Sequence, residues 1–555
     1  MTIDTLTLNR PQRRRVAWLG VAAPGDGRAV FEERGFEVVT LSAADLRNRV
    51  NLAPIGAVVF TQRAANLQAI ADDLVDADAR QLLDYDCRII IRAFDRPDLH
   101  RLPLRIIATA AGRLDLLAVG LPPWEMHRLS RLRWSGQGEP PLPHVRVYGL
   151  NAQWSTIANF IMEHPPGAPP SPWPNLTIKV HGSKRHWRPG YEILLRRAFW
   201  DCTEVHLKPM DDGHSGVAVY CAHADLANGQ LGRWLLPYFV KIGDRRKVFS
   251  EYLNYQDRVD PYIPFHLGPH LIADRCCLGA SAGVIVGDFV EESESLVDCA
   301  RDGRAGAAIA CLFDRTLVGW HRSAQKEREL SCQIANGFRE LFPRMSADLQ
   351  DRIDRAHALG ATRDLGELRA LFNCCDSTPV LVGPIHGDLH AGNVRVRATD
   401  AILIDFYRHQ RGPLLYDAAC LEASLLVEGF RDGRKYFRRS TPAHKLAQLD
   451  AEIREWMQSI ESLYQDIPLQ NAVEHPDPKH PTCWFHTCVR QIRRYAKEME
   501  IGEHQYAGTL ALALLTKATK DLGVPEPEAS RRAAAYVFAE RVLLQSFEGN
   551  GDYCI

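Results

Sequence analysis

The chain has 555 residues, of which 46% are hydrophobic, and that length predicts roughly three or four packed units instead of one core. A net charge of −1 gives no reason to expect a nucleic acid or an anionic membrane as partner. No apolar run reaches the ~18 residues that a membrane span needs. The 14 cysteines are scattered and no apolar signal sequence opens the chain, so we expect reduced thiols in a cytoplasm.

Residues 1–135 alternate apolar runs with amphipathic stretches, which predicts an α/β domain with a parallel sheet covered on both faces. The spacing resembles a flavodoxin-like or receiver-type unit. A phosphoacceptor receiver needs acidic residues after the first strand and an Asp at the end of the third. Here the sequence reads VAAP at residues 21–24 and FTQ at residues 60–62. We therefore expect a degenerate receiver-like or other regulatory domain, with a pure packing domain as the alternative. The runs that predict its strands are RVAWLGV, FEVVTL, IGAVVFTQ, CRIIIRAF and LRIIATAA.

Residues 136–190 form a connector in this interpretation. The stretch PPGAPPSPWP, residues 165–174, holds six prolines and is expected to be an extended, stiff linker. The segment before it, VRVYGLNAQWSTIANFIMEH, has a strand-then-helix pattern and could complete the first domain. Residues 191–291 then predict a small β-rich lobe, and residues 292–555 a larger, mostly helical lobe. Together they predict an α+β arrangement of two lobes.

One short stretch, IHGDLHAGNV, concentrates polar residues beside glycines. Asp388 and Asn393 lie five residues apart in it, and Asp405 follows twelve residues after Asn393, at the end of the apolar run AILI. Mg²⁺ takes oxygen ligands together with phosphate oxygens, and Asn393 and Asp405 suit it. Asp388 is then left to orient a hydroxyl and take its proton, while His386 would hold the loop by hydrogen bonds. The alternative is an ordinary polar turn between two elements.

The motif HGDLHAGNV…LIDF closely resembles the catalytic loop and metal motif of the aminoglycoside phosphotransferase and choline kinase family. That family is a branch of the protein-kinase-like fold. The resemblance, which covers roughly residues 191–430 by motif, implies ATP and Mg²⁺ as cofactors and a hydroxyl group as acceptor. It also implies a catalytic role for Asp388 and His386. The position after Asp405-Phe406 departs from the Asp-Phe-Gly pattern, because Tyr407 stands where that pattern has glycine.

Upstream residues follow the same family order. Lys241 ends the run YFVKI and resembles the phosphate-binding lysine, and Glu251 on the next helix would pair with it. Taken alone, a lysine at a strand end is usually solvated, and the glycine turn near residue 213 is also an ordinary hairpin signal. Downstream, Asp417 would support the catalytic loop from beneath. The other expected nucleotide-binding residues are Gly213, Ser215 and Gly216 in the turn, and Asp288, Phe289 and Val290 in the interlobe hinge.

The resemblance therefore implies a kinase that transfers the γ-phosphate of ATP to a hydroxyl of a small molecule or a protein. The N-terminal domain would regulate it and would offer a surface to a protein partner. The rival interpretation is a nucleotide-binding pseudokinase or scaffold in a bacterial signalling or defence system. Pseudokinases typically lose the base or a metal ligand, whereas this chain keeps Asp388, Asn393, Asp405 and Lys241. A third possibility is that the N-terminal domain is the functional unit and cleaves or binds a nucleotide-like ligand. The absence of a convincing carboxylate pair in that domain weighs against it.

A second polar cluster, HPTCWFHTC, contains residues that can bind zinc. Its Cys–Cys spacing does not fit the usual CxxC knuckle, and it precedes a helical pattern in which Cys and Trp serve well as core. Core packing is therefore the favoured interpretation, with metal binding left open. The residues concerned are His480, Cys483, His486 and Cys488.

Overall fold

A computed structural model of the chain shows two compact units. One contains residues 1–252 and 270–289, and the other contains residues 253–269 and 290–555. The structure describes residues 15–19, 22–42, 45, 55–61, 87–92, 145–149, 151–163, 176–182, 187–188, 191–210, 217–226, 236–279, 282–327, 347–373, 379–429, 443–465, 467, 480–502, 504–519 and 526–547.

A parallel five-stranded sheet comes first in the chain, with its strands in the order β2-β1-β3-β4-β5. The fifth strand lies beyond residue 135, so the sheet draws on the segment 136–190 for its edge. The run LRIIATAA, which predicts a strand at residues 104–111, and the proline-rich stretch lie outside the described residues. The strands are β1 (Arg15–Leu19), β2 (Glu37–Leu41), β3 (Ile55–Thr61), β4 (Arg88–Arg92) and β5 (Val145–Tyr148).

Two helices, α1 (Gly25–Glu33) and α2 (Trp154–Glu163), pack on this sheet through aromatic side chains. The ring of Trp18 lies 5.2 Å from that of Phe31, edge to face, and 5.7 Å from that of Trp154. Such aromatic pairs add specific geometry to a large buried apolar area. The apolar runs of the sequence form a sheet here because their side chains are buried in this core against the helices.

A six-stranded mixed sheet follows, in the order β10-β11-β9-β8-β7-β6. Strands β6 and β7 pair in parallel, and the other neighbours pair antiparallel. Strand β9 lies between β8 and β11, so Lys241 on β9 has a paired strand on each side. The elements are β6 (Thr177–Val180), α3 (Tyr191–Ala198), β7 (Cys202–Pro209), β8 (Ala218–Leu226), β9 (Tyr238–Asp244), α4 (Arg245–Asn254), β10 (Cys277–Leu278) and β11 (Ala282–Asp288).

The second unit is largely helical and contains two small antiparallel sheets, β12-β15-β16 and β13-β14-β17. No helix in the described part of the chain is long and apolar enough to cross a membrane. The strands of the second unit are β12 (Glu294–Ser295), β13 (Gln325–Glu327), β14 (Val380–Ile385), β15 (Val394–Arg397), β16 (Asp400–Leu403) and β17 (Gln410–Pro413). Its helices are α5 (Leu296–Arg301), α6 (Ala305–Cys311), α7 (Val318–Arg322), α8 (Ala347–Ala358), α9 (Leu365–Asn373), α10 (Leu415–Gly429), α11 (Ala443–Ile460), α12 (Cys483–Met499), α13 (Gln505–Thr519) and α14 (Glu526–Phe547).

A buried polar network fixes helix α10 against α12 and α13. Arg493 donates from Nε and Nη2 to the two carboxylate oxygens of Glu422, at 3.0 and 2.6 Å. Tyr506 donates its hydroxyl to the same carboxylate at 2.7 Å. Removing one partner of such a buried ion pair costs about 3–5 kcal/mol, because the other charge is left uncompensated. The network therefore holds α10 rigidly, and α10 underlies the site described next.

Candidate active site

The loop that follows strand β14 is held from below by Asp417, in the first turn of α10. The backbone N–H of His386 donates to Asp417 Oδ2 at 2.7 Å, and that of Gly387 donates to Oδ1 at 3.0 Å. Burial raises the pKa of the Asp417 carboxyl, although the two backbone donors and His386 act against that shift. Asp417 thus satisfies two buried amides of the loop, in the position expected from the sequence.

Gly387 gives the loop its sharp turn. Its φ is +75°, in the left-handed region, and a Cβ there would overlap the carbonyl oxygen of Arg408. Both conditions exclude a side chain at this position. The turn brings Asp388 to the site with 27% of its side chain exposed.

His386 is fully buried and joins the loop to the end of strand β16. Its Nε2 lies 3.0 Å from the carbonyl oxygen of Ile404, and its ring centroid lies 5.3 Å from that of Phe406. Its Nδ1 has no hydrogen-bond partner among the described residues. His386 therefore positions the residues on either side of Asp405 and is a positioning residue for the site.

Asn393 is buried and ties the two halves of the loop together. Its Nδ2 donates to the carbonyl oxygen of Asp388 at 3.0 Å, and its own carbonyl accepts from the N–H of Ile404 at 3.0 Å. Because the amide nitrogen is engaged in this way, Oδ1 is the atom that remains as an oxygen ligand. Strands β15 and β16 form the hairpin that returns the chain to this point, pairing Val394 with Leu403.

Asp405 has a left-handed backbone, with φ +65° and ψ +72°. A residue other than glycine costs roughly 1–3 kcal/mol in such a conformation, and this strain is typical of functional sites. The following turn is held by Asn254, whose Nδ2 donates to the carbonyl oxygen of Phe406 at 2.9 Å. The amide oxygen of Asn393 and the carboxylate of Asp405 are hard oxygen donors, the type of ligand that Mg²⁺ prefers.

Arg408, which lies three residues after Asp405, is a site neighbour that sequence reasoning did not identify. Its Nε is 3.6 Å from Asp388 Oδ2, and about half of its side chain is exposed. A basic residue shortly after the LIDF motif is the signal that could have indicated it. This contact places a cation beside the carboxylate expected to act as the base.

In the first unit, the structure brings Lys241 and Glu251 together. Lys241 Nζ lies 2.6 Å from Glu251 Oε2, and less than a tenth of either side chain is exposed. Lys241 stands on β9 opposite Ile285 and Val219, and Glu251 stands on α4. The expected glycine turn with Gly213, Ser215 and Gly216 lies outside the described residues.

The expected hinge follows strand β11. The backbone N–H of Asp288 donates to the carbonyl oxygen of His270 at 2.9 Å. The backbone N–H of Phe289 donates to the carbonyl oxygen of Pro237 at 3.2 Å. The boundary between the two units falls between Phe289 and Val290. Two of the three hinge amides are therefore engaged in backbone hydrogen bonds.

The cysteine and histidine cluster near residue 485 packs as core and helix start. His486 is buried with Nε2 3.0 Å from the carbonyl oxygen of Ser459, and Cys488 is also buried. Across the described ranges, no group of three or more His, Cys, Asp or Glu side chains is arranged to hold a metal ion. His480 instead contacts Thr482 Oγ1 at 2.8 Å.

A loop that presents Asp and Asn, followed by a hairpin that ends in a second Asp, is the arrangement of phosphotransferases with a protein-kinase-like fold. Residues 283–456 match the model of the phosphotransferase enzyme family, APH, which supports a kinase-type enzyme. No curated protein sequence matches the chain.

Several solved structures resemble the chain at low sequence identity. An aminoglycoside phosphotransferase from Streptomyces rimosus is 17% identical, with 54% of this chain and 97% of that one covered and a TM-score of 0.28. A glucosamine kinase in complex with glucosamine, ADP and inorganic phosphate is 13% identical, covers 66% and 87%, and has a TM-score of 0.32. A choline kinase from Cryptosporidium parvum is 12% identical, covers 63% and 92%, and has a TM-score of 0.30.

Proposed function

We propose that the chain is an ATP- and Mg²⁺-dependent kinase that transfers the γ-phosphate to a hydroxyl group of a small molecule or a protein. The observation that carries the proposal is the clamped loop, in which Asp417 holds the backbone of His386 and Gly387 and Asn393 holds the carbonyl of Asp388. Such a loop keeps the base, Asp388, at a fixed place. Phosphoryl transfer depends mainly on positioning and charge stabilisation, so a rigid loop is what the chemistry requires.

Asp388 is the catalytic base in this proposal. It orients the acceptor hydroxyl and takes its proton while the new P–O bond forms and the bond to ADP breaks. Asn393 and Asp405 would hold the Mg²⁺ ion. When bound, the ion supplies positive charge that neutralises the phosphate oxygens. His386 acts by keeping the loop and the Asp405 turn in register.

Lys241 would bind the phosphates of ATP, and Glu251 would hold Lys241 in place. The buried 2.6 Å ion pair between them supports this assignment, because a buried lysine needs a partner to remain charged. Asp288, Phe289 and Val290 would face the adenine. The remaining expected nucleotide contacts are Gly213, Ser215 and Gly216.

The N-terminal domain is proposed to regulate the kinase as a degenerate receiver-like unit that is not itself phosphorylated, and to offer a surface to a protein partner. The strand order β2-β1-β3-β4-β5 supports it, since flavodoxin-like folds share that order. Residues 22–24 after β1 and the end of β3 at Thr61 bring no acidic side chain. The domain should therefore take up no phosphoryl group from acetyl phosphate, and an acyl-phosphate adduct on it would contradict this proposal.

The full chain is tested with γ-labelled ATP and Mg²⁺, with and without cell extract, followed by tracking of the label. Transfer of label to a small molecule or a protein supports the kinase. Binding of Mg·ATP with neither ADP nor labelled product, whatever the acceptor, would favour the scaffold alternative. The matched control is the Asp388→Asn variant, which keeps the size and polarity of the residue but removes the base.

A further inference from the structure

Glu428 lies in the last turn of helix α10, on the same helix as Asp417. Its backbone is anchored by Arg301, which donates from Nη2 to the carbonyl oxygen of Glu428 and from Nε to that of Gly429, the latter at 3.1 Å. Its side chain is anchored on one side only. Lys517 on α13 donates from Nζ to Glu428 Oε1 at 3.1 Å.

In the described part of the chain, no hydrogen-bond donor is found for the second carboxylate oxygen of Glu428. His390 Nδ1 lies 3.8 Å from this oxygen, but that nitrogen already accepts from the N–H of Gly392 at 3.2 Å. Because Nδ1 accepts this hydrogen bond, it carries a lone pair and has no proton to donate to Glu428. Among the described residues, Glu428 Oε2 is therefore an open acceptor.

Both side chains reach solvent: Glu428 keeps 33% of its side chain exposed and His390 29%. The backbone N–H of His390 donates to the carbonyl oxygen of Asp388 at 2.8 Å. Glu428 is thus beside the loop that carries the proposed base.

We propose that Glu428 is an acceptor-binding residue and that its Oε2 accepts a hydrogen bond from a second hydroxyl of a neutral polyhydroxyl acceptor, such as a sugar. This inference rests on the proposed function and specifies the acceptor. Lys517 offsets the charge of Glu428, so this ion pair is neutral overall and gains little from a cationic amine. A hydroxyl needs only the open oxygen, and an O–H···O⁻ bond is one of the stronger hydrogen bonds.

The test compares two matched pairs of probes, glucose with glucosamine and glycerol with ethanolamine. Binding is measured by calorimetry on the full-length Asp388→Asn protein with Mg·ATP, so that the result does not depend on turnover. We expect the neutral member of each pair to bind more tightly. Glu428→Ala should weaken its binding about tenfold, which is the size expected for one hydrogen bond to a charged group.

Two further variants separate a binding role from a structural one. Glu428→Gln keeps an acceptor oxygen and should retain most of the glucose binding. Lys517→Met leaves Glu428 as an uncompensated anion and should shift the preference towards glucosamine. The control is Glu461→Gln, which removes the charge from another partly exposed carboxylate, paired with Arg541 at 2.7 Å, and should change neither affinity.

The outcomes are distinct. Tighter binding of the amines by the unmodified subsite, no millimolar binding of any neutral probe, or unchanged glucose binding in Glu428→Ala at an unchanged Tm would each overturn the inference. Failure of the kinase itself appears elsewhere, as an absence of ADP formation in the wild-type chain while glucose still binds to the Asp388→Asn protein.

Discussion

The guanidinium of Arg408 lies beside the carboxylate of Asp388, with 3.6 Å between Nε and Oδ2. The two side chains come from the turn after Asp405 and from the loop after β14, and His386 hydrogen-bonds between these segments. The contact is partly exposed to solvent, since 48% of the Arg408 side chain and 27% of the Asp388 side chain are accessible. The contact therefore holds the proposed base, Asp388, without burying it.

Arg408→Gln should lower the rate of transfer only modestly. Exposed ion pairs contribute about 0–1 kcal/mol, which corresponds to a fall in kcat of about fivefold at most. The difference from wild type should shrink at high salt, because salt screens exposed charges. The measurement is kcat at low and high ionic strength, together with calorimetric Mg·ATP affinity, which should not change. A loss of a hundredfold or more would mean that Arg408 contacts the transferred phosphate.

Substitutions of the two aspartates should separate catalysis from metal binding. Asp388→Asn should reduce transfer by about 10²–10⁴-fold, the usual contribution of a general base, and leave Mg·ATP affinity nearly unchanged. Asp405→Asn should instead weaken Mg·ATP binding, because a hard cation loses an anionic ligand. Asn tolerates the left-handed backbone that Asp405 adopts, so the change adds little strain.

These two aspartate variants are compared by calorimetric titration with Mg·ATP and by release of ADP. Intact ADP release in Asp388→Asn would show that another residue is the base. Unchanged Mg·ATP affinity in Asp405→Asn would show that Asp405 does not hold the ion.

Sequence reasoning identified the loop because its parts are close along the chain. A loop, a hairpin and a strand end bring Asp388, Asn393 and Asp405 into one region whatever the rest of the fold does. Lys241 and Glu251 also followed from local order, since a strand and the next helix must pack together. The strands β1 to β4 could also be predicted from local sequence, because each is a short apolar run.

Other features depend on how distant elements pack, and the sequence does not contain that information in a local pattern. The contact between Glu428 and Lys517 joins residues 89 positions apart, through the packing of α10 on α13. The place of Arg408 depends on the left-handed backbone of Asp405, which no residue type specifies. Strand β5 is a run of only four residues that pairs with β4, and its sequence leaves open whether it belongs to the connector or completes the first domain.

The buried pair Lys241–Glu251 should behave as a unit. Either Lys241→Ala or Glu251→Ala leaves a buried charge without its partner, which costs about 3–5 kcal/mol, and the double variant should cost much less than the sum. Both single variants should also weaken Mg·ATP binding. Free energies of unfolding from urea titrations give the coupling. The exposed helical pair Arg28–Glu32, at 2.8 Å, is the control and should show a coupling of about 0.5 kcal/mol or less.

Simple addition of the Lys241 and Glu251 effects would contradict the pairing in solution. Coupling in stability with no effect on nucleotide affinity would instead mean that the pair is structural and that Lys241 does not bind phosphate.

His409 should make the protein sensitive to mild acid. It is buried, its ring lies 4.7 Å from Trp320, and neither ring nitrogen has a hydrogen-bond partner among the described residues. Burial, with Arg258 nearby, lowers the pKa of His409 to about 3. In the unfolded chain the pKa is about 6.5. Because the unfolded state gains the proton first, stability is lost as the pH falls from about 6.5 towards 3.

His409→Phe keeps a ring against Trp320 and removes the titrating group. Between pH 7 and pH 5.5, wild type should therefore lose about 1 kcal/mol more unfolding free energy than the variant. Urea denaturation at the two pH values measures the difference, and shifts from all other groups cancel in the comparison. The exposed His480, changed to Gln, is the control for removing a histidine at another place in the chain. Parallel loss of stability in wild type and His409→Phe would show that the folded protein protonates His409 as readily as the unfolded chain does.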